Sequence, residues 1–435
     1  MTPSHTRSVD VVIIGGGIAG LLAAREVEAA GLTAVVLEAS ERVGGRVRAR
    51  NYKGTDKELE FGGNAFSREF QPHITSEYER YGLKEVGTPE TGTFLQLLGG
   101  EVVEGAVPVP ETEFDALERG LNHWINGVRR IQFVAGFDAQ DLQDLDVSIE
   151  EYFRPLDLPK ATSDFLFSWA VHCNGEDPDR VSALHMMRWF SAFDHSVWNY
   201  YAKAERKWPT SAEYLARLQA DIKGEILLGD PAAAIDTTSD GVVVTTPSGA
   251  VVSGKAAVVA VPLNAWKTLT FTPPLEGGKA EAAAEGQIGA NSKIFIQVRN
   301  APSGFFGSAY QAGLGVVYKN NDLPDGTQLL VAFANIRRLD TSDLQAVQDA
   351  LRSIMPTVEV LSVDEEDWNE NDYRGGGLTA FRPGQLSRFD SQLRTPHGDR
   401  VFFATSDISQ RWCGWLEGAA ETALEAARAA SARAR

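Results

Sequence analysis

Val9-Asp10-Val11-Val12-Ile13-Ile14-Gly15-Gly16-Gly17-Ile18-Ala19-Gly20 is the stretch that decides the fold. Residues 9–14 are an apolar run with the length of a buried strand, and the glycines after it make a tight turn. A helical pattern comes next, with Leu21, Leu22, Ala24 and Val27 on one side, until Gly31 stops it. Residues 33–37 form a second apolar strand, closed by Glu38. Strand, glycine turn, helix and strand together predict a β-α-β unit. In such a unit Gly15 permits the turn, Gly17 lets the backbone approach a pyrophosphate, and Gly20 lets the helix pack on the strand. The helix N-terminus offers unpaired N–H groups and a partial positive charge to phosphates. Glu38 lies where a carboxylate accepts hydrogen bonds from ribose hydroxyls, and its charge disfavours the 2′-phosphate of NADP.

Outward from this unit the pattern alternates. Residues 112–132 predict a helix with Phe114, Leu117, Leu121, Trp124, Val128 and Ile131 on one face. A second helix is expected over 341–355, ended by Pro356. Residues 241–261 read instead as a hairpin leading into a buried strand, and 401–404 as a last strand before a helix rich in Ala and Glu from Leu416. Strands resembling the first unit thus sit at the start, middle and end of the chain. The expected architecture is α/β, with a discontinuous Rossmann-type dinucleotide domain and an inserted α+β substrate domain.

Composition narrows the function. At 435 residues the chain exceeds the roughly 250–300 at which one core stops growing, so two domains are expected. A net charge of −18 argues against nucleic acid, which is bound by clustered Lys and Arg. No apolar run approaches the roughly 20 residues needed to cross a bilayer. The two cysteines, Cys173 and Cys413, lie far apart and make no disulfide framework, which fits a reducing compartment, read as the cytoplasm. No metal-ligand pattern is present, so no metal site is expected.

Beyond Glu38 come Glu41-Arg42-Val43-Gly44-Gly45-Arg46 and Glu60-Phe61-Gly62-Gly63-Asn64; near the other end come Thr405-Ser406-Asp407 and Trp412-Cys413-Gly414-Trp415-Leu416-Glu417-Gly418. Together with the first glycine loop, these segments resemble the flavin-dependent amine oxidases, a family that includes monoamine, polyamine and L-amino-acid oxidases. Shorter segments, among them Gln140-Asp141-Leu142-Gln143-Asp144-Leu145 and Val261-Pro262-Leu263-Asn264-Ala265-Trp266, are similar to members that act on nicotine-type alkaloids. The likeness runs over about residues 8–430. It implies FAD as cofactor, with residues 1–75, 213–285 and 391–435 as the FAD-binding domain and 76–212 and 286–390 as the substrate domain. It places Gly15, Gly17, Ala19, Gly20, Glu38, Ala39, Gly44, Gly45, Arg46, Gly62, Gly63, Asn64, Ala232, Ser406, Asp407, Trp415 and Leu416 at the cofactor. Arg46 would neutralise phosphate charge, Asp407 would contact ribityl or phosphate oxygens, and the last helix would point its N-terminus at the flavin.

The same resemblance implies the catalytic residues. Read from the strand pattern alone, Lys293 is a solvent-facing lysine opposite Ile294 and Ile296; the family match makes it the lysine that reaches the flavin through a water. Where monoamine oxidases carry a cysteine joined to FAD, this chain has Gly377, so non-covalent FAD is expected. Of the two aromatic side chains that usually flank the flavin, Trp415 is kept and Leu378 replaces the other. His172 stands where the nicotine-type members have a substrate-facing asparagine, either as a core histidine or as a polar handle. The implied reaction is hydride transfer from the α-carbon of a small cyclic or aromatic-ring amine, nicotine-like amines included, to the flavin, giving an imine and, with oxygen, hydrogen peroxide. A carbon–carbon desaturase, or an amine dehydrogenase with another electron acceptor, remains the alternative, and a homodimer is left open.

Overall fold

The computed structural model describes residues 6–85, 92–105, 109–203, 206–207, 210–369 and 372–435, without the side chains of 169–173, 201–202 and 206–207. Every side chain of the strand Val11–Ile14 is buried, and so is every one of Ala34–Leu37 and Ala256–Val259. Such unbroken apolar runs suit a parallel sheet covered on both faces, where no side can alternate to polar. The strands join in the order Ile226–Leu227, Ala34–Leu37, Val11–Ile14, Ala256–Val259, Val401–Phe403, all parallel. Stretches from the start, middle and end of the chain thus share one sheet. The helix Ile18–Ala29 crosses from Val11–Ile14 to Ala34–Leu37 as expected, and Gly31, at φ 81°, ends it.

The helix Leu416–Ala434 begins where the sequence places it and lies against Ile18–Ala29 on the same sheet. Its buried face is made of Ala420, Ala423, Ala426, Ala427, Ala430 and Ala434, small residues that let the two helix backbones come close. The expected hairpin is Val242–Thr245 paired antiparallel with Val251–Gly254, in a second sheet that also takes in Thr6–Ser8. The first apolar run therefore begins its buried strand at Val11, two residues later than its apolar start, because Thr6–Ser8 pairs elsewhere.

A seven-stranded, mostly antiparallel sheet runs in the order Glu359–Glu365, Asn291–Arg299, Gln328–Asn335, Leu314–Asp322, Phe306–Ala309, Phe94–Leu98, Glu101–Glu104. The helix Lys160–Asn174 packs on this sheet, and Phe114–Arg130 packs against that helix and against Ala183–Ala192. The expected helix over 341–355 is shorter, Leu344–Arg352, with the Asp343 carboxylate accepting from Gln345 N at 2.9 Å to start it. The expected boundary at 390 falls inside the helix Leu386–Arg394. Among the described residues no helix is long and apolar enough to cross a membrane.

One buried ion pair fastens the first unit to a later helix. Arg25 donates to both oxygens of Glu77 at 2.7 Å, tying Ile18–Ala29 to the helix Pro72–Tyr81, and Tyr214 Oη adds a bond at 3.2 Å. Both side chains are under a tenth exposed, and the carboxylate raises the Arg25 pKa against the lowering effect of burial. Glu77→Ala removes the two-oxygen buried partner of Arg25, leaving it the half-buried Glu26 at 3.0 Å, and is expected to cost about 3 kcal/mol, read as a lower midpoint of denaturant unfolding.

Candidate active site

The glycines of the first loop do different things, and a hypothetical Cβ on each shows which. On Gly20 it would lie 1.8 Å from Gly15 O, and on Gly15 (φ 104°) 2.7 Å from Ala260 O: both are required by backbone packing. On Gly17 it would meet only Gly45 Cα at 3.8 Å, and on Gly63 only Leu416 Cδ2 at 3.9 Å. Those two positions border open space. Gly44 N donates to Gly16 O at 2.8 Å and so docks the second glycine loop on the first. Glu38 ends its strand with Oε2 accepting from Gly16 N at 2.6 Å and Oε1 from Ser40 N at 2.8 Å.

A continuous cavity runs from this loop to the strands Asn291–Arg299 and Gln328–Asn335 of the seven-stranded sheet. Its walls bring together Gly15, Gly17, Ala19, Glu38, Ala39, Gly44, Gly45, Arg46, Gly62, Gly63, Asn64, Ala232, Ser406, Trp415 and Leu416, with Lys293 and Leu378 towards the sheet. Gly20 acts one layer behind, through its contact with Gly15. The N-terminus of Ile18–Ala29 opens onto one part of the cavity and that of Leu416–Ala434 onto another. Open space over Gly17 and Gly63, two helix N-termini and a terminal carboxylate suit an anionic dinucleotide with ribose hydroxyls, so the residues present fit FAD.

Arg46 and Asp407 are arranged differently from the expectation. Arg46 is on the wall, donating to Gly377 O at 3.1 Å, Ser406 Oγ at 3.1 Å and Asp407 Oδ1 at 2.6 Å. Asp407 stands behind the wall. Its side chain is 0% exposed, and it also accepts from Thr379 Oγ1 at 2.6 Å and Leu263 N at 2.8 Å. In this geometry the carboxylate holds Arg46 rather than facing the cavity.

Lys293 is not solvent-facing. It lies in the strand Asn291–Arg299, between Gln328–Asn335 and Glu359–Glu365, where both faces are covered, and is 8% exposed. Its Nζ donates to Gly62 O at 3.1 Å and to Asn64 Oδ1 at 3.3 Å. A buried cation is thereby fixed on the loop that borders the cavity. Glu60, 2% exposed, keeps that loop in place by accepting from Arg48 N at 2.7 Å, Gly62 N at 2.9 Å and Ser211 N at 2.7 Å.

Trp415 packs edge-on against Trp189 at 5.9 Å and against Tyr200 at 6.3 Å, and these two rings also line the cavity. Leu378 lies close by: its Cδ1 is 2.9 Å from where a Cβ of Gly414 would stand. A Cβ on Gly377 would be 2.5 Å from Asn291 Oδ1, so the attachment position has no room for a side chain in this backbone. The helix Lys160–Asn174 contains His172, whose side chain lies outside the described residues. Trp189, Tyr200, Phe333 and Asn291 are further wall residues that the sequence analysis does not identify. The helix of Trp189 is buried on every side and carries no stripe to read, whereas Asn291, two residues before Lys293, was available from strand alternation. Among the described residues no cluster of His, Cys, Asp and Glu is able to hold a metal ion.

Comparison with known proteins agrees with this geometry. The family of flavin containing amine oxidoreductases matches residues 18–431, and the chain belongs to it. It is 34% identical over 418 residues to the (S)-6-hydroxynicotine oxidase of Paenarthrobacter nicotinovorans, covering 95% of this chain and 97% of the relative. It is 29% identical over 429 residues to a pseudooxynicotine dehydrogenase of Pseudomonas sp, covering 96% and 85%. Its fold matches wild-type putrescine oxidase bound to putrescine (TM-score 0.84, 22% identity, 97% and 99% covered). It also matches cyclohexylamine oxidase from Brevibacterium oxydans IH-35A (TM-score 0.82, 21% identity, 98% and 99% covered). The chain is thus a flavin-dependent amine-oxidising enzyme.

The two kinds of glycine separate by mutation. Gly17→Val is expected to fold with near wild-type thermal stability and fail to retain flavin, because the added side chain fills only the open space. Gly20→Ala is expected to lower stability itself, since its methyl group collides with a backbone carbonyl. Absorbance of bound flavin and thermal unfolding, measured on both proteins, check this.

Proposed function

We propose that this enzyme binds FAD non-covalently and oxidises a small cyclic or aromatic-ring amine, nicotine-like in shape, with molecular oxygen as electron acceptor. The observation that carries the reading is Lys293, a cation buried beside the Gly62-Gly63-Asn64 loop on the same cavity that the dinucleotide loop opens. Bound FAD supplies the two-electron acceptor for the amine α-C–H bond and, on reoxidation by oxygen, yields hydrogen peroxide.

The residues of this chain provide position and electrostatics. Gly15, Gly17 and the helix beginning at Ile18 receive the pyrophosphate, Glu38 a ribose, and Gly44, Gly45 and Arg46 the adjoining phosphate charge. Asp407 acts through Arg46, leaving Ser406 as the side chain that meets the cofactor directly. Lys293 holds a positive charge and a proton where they orient a water beside the reacting centre. Trp415 offers one flat wall to a neutral amine, and Leu378 leaves space where a second ring would stand. The iminium product is hydrolysed by water after release. The three-part unit at 1–75, 213–285 and 391–435 is the cofactor domain in this reading, and 76–212 with 286–390 builds the substrate side, in a cytoplasmic enzyme. A relative is named as a dehydrogenase, which makes an acceptor other than oxygen the second reading; oxygen consumption matched to substrate used separates the two.

Anaerobic mixing with a panel of secondary, cyclic and primary amines tests the reaction: at least one is expected to bleach the flavin, and bleaching by a carbocycle but by no amine would refute it. In the same apparatus Lys293→Met is expected to keep its flavin and to slow reduction or reoxidation about 10²-fold. Wild-type rates in both half-reactions would leave the lysine a structural role only. Acid denaturation is expected to release all yellow colour into the supernatant, since Gly377 has neither a thiol nor room for one. Colour remaining with the precipitated polypeptide would contradict non-covalent binding.

A further inference from the structure

Asn291 precedes Lys293 by two residues on one face of the strand Asn291–Arg299 and is 5% exposed. It stands on the cavity wall with Lys293, Phe333 and Leu378. The backbone fixes which way its carboxamide points. Leu378 N donates to Oδ1 at 2.8 Å, and a donor at that place requires the oxygen end of the amide. The NH2 end is therefore turned the other way. Nδ2 makes no hydrogen bond among the described residues, yet it is not one of the unpartnered atoms sealed inside protein. What remains to it is the cavity.

The side chain is also held still. A Cβ on Gly175 would lie 2.3 Å from Asn291 Cα, and one on Gly377 2.5 Å from Oδ1. Two glycines thus let backbone close in on both sides of the residue. Holding Leu378 needs only Oδ1, and that role leaves the NH2, which opens on the cavity, with no acceptor in the protein. We propose that Asn291 Nδ2 receives a hydrogen-bond acceptor on the substrate, a ring nitrogen, hydroxyl or carbonyl oxygen, and so selects among amines. This rests on the amine-oxidising reading above. The substrate is then an amine that carries a second heteroatom, placed to reach Nδ2 while the amine end lies towards Lys293 and Trp415.

Asn291→Asp tests it, because it keeps the shape and an oxygen for Leu378 N and removes the donor. Two amines are compared in the holoenzyme, 2-(pyridin-3-yl)pyrrolidine and 2-phenylpyrrolidine, which differ by a ring nitrogen in place of C–H. Wild type is expected to favour the pyridyl amine about tenfold in kcat/KM for anaerobic flavin reduction, and N291D less than about twofold. An unchanged ratio in N291D, or no preference in wild type, would overturn the proposal. Should N291D lose its flavin, the dissociation constants of pyridine and benzene for the wild-type holoenzyme, read from the flavin spectrum, decide instead. Tighter pyridine supports the donor, and equal affinity overturns it. If no amine reduces the flavin, the amine-oxidising reading fails, while this binding measurement still reports on Asn291.

Discussion

Asp407 lies wholly enclosed, with Arg46, Thr379 and the amide of Leu263 all donating to it. Arg46 and Asp407 are 361 positions apart, and Thr379 and Leu263 come from two further stretches. Four remote parts of the chain thus meet on one carboxylate, directly behind the cavity wall. Charge buried this deeply is stable only when fully paired, since desolvation of either partner alone costs several kcal/mol. The arrangement therefore forms completely or not at all. The wall that faces the cofactor inherits that property: Arg46 has one orientation, and with it the carbonyl of Gly377 and the hydroxyl of Ser406.

A similar logic governs the reacting end. Lys293 would be expensive to bury alone, and the Gly62 carbonyl and Asn64 oxygen offset that cost. The first of these acceptors is in turn held by Glu60, which bonds Gly62 N and two further backbone N–H groups. The cavity is thus bordered by Lys293 and Arg46, which are paired on the protein side, by the Asn291 NH2, which is not, and by the rings of Trp189, Tyr200 and Trp415. Largely apolar walls with a few fixed polar groups are what let a pocket take up a small ligand and orient it.

Much of this was legible in the amino-acid sequence. The first β-α-β unit, the hairpin at 241–261, the last strand and the last helix can be read from periodicity and glycine placement, to within about two residues. Strands at the start, middle and end of the chain were enough to expect a discontinuous sheet. The site was legible mostly through family likeness, and Lys293 shows why. Strand alternation alone makes it a surface lysine, because periodicity shows which residues share a face but not whether that face is covered. Two flanking strands and the glycine loop cover it, and they are supplied by residues far away in sequence. The sequence marks Asp407 as a site acid but not its partners: a side chain one layer behind a wall looks the same in sequence as one on it. Trp189 left no trace at all, since a helix buried on all sides has no polar face to set off its apolar one.

The parallel sheet has a further consequence, for synthesis. Its strands at 11–14 and 34–37 leave the ribosome early, but the neighbour on the far side of Ala256–Val259 is Val401–Phe403, and the helix that covers the first one begins at Leu416. At translation speeds of about 5–20 residues per second, the glycine loop waits tens of seconds for the parts that close over it. During that time the apolar faces of Val11–Ile14 and Ile18–Ala29 lack their final cover. The nascent chain is then most exposed to mispairing and to chaperones at the segment its cofactor site depends on most. The cofactor cavity is complete only when the segments around Gly17 and Leu416 have come together.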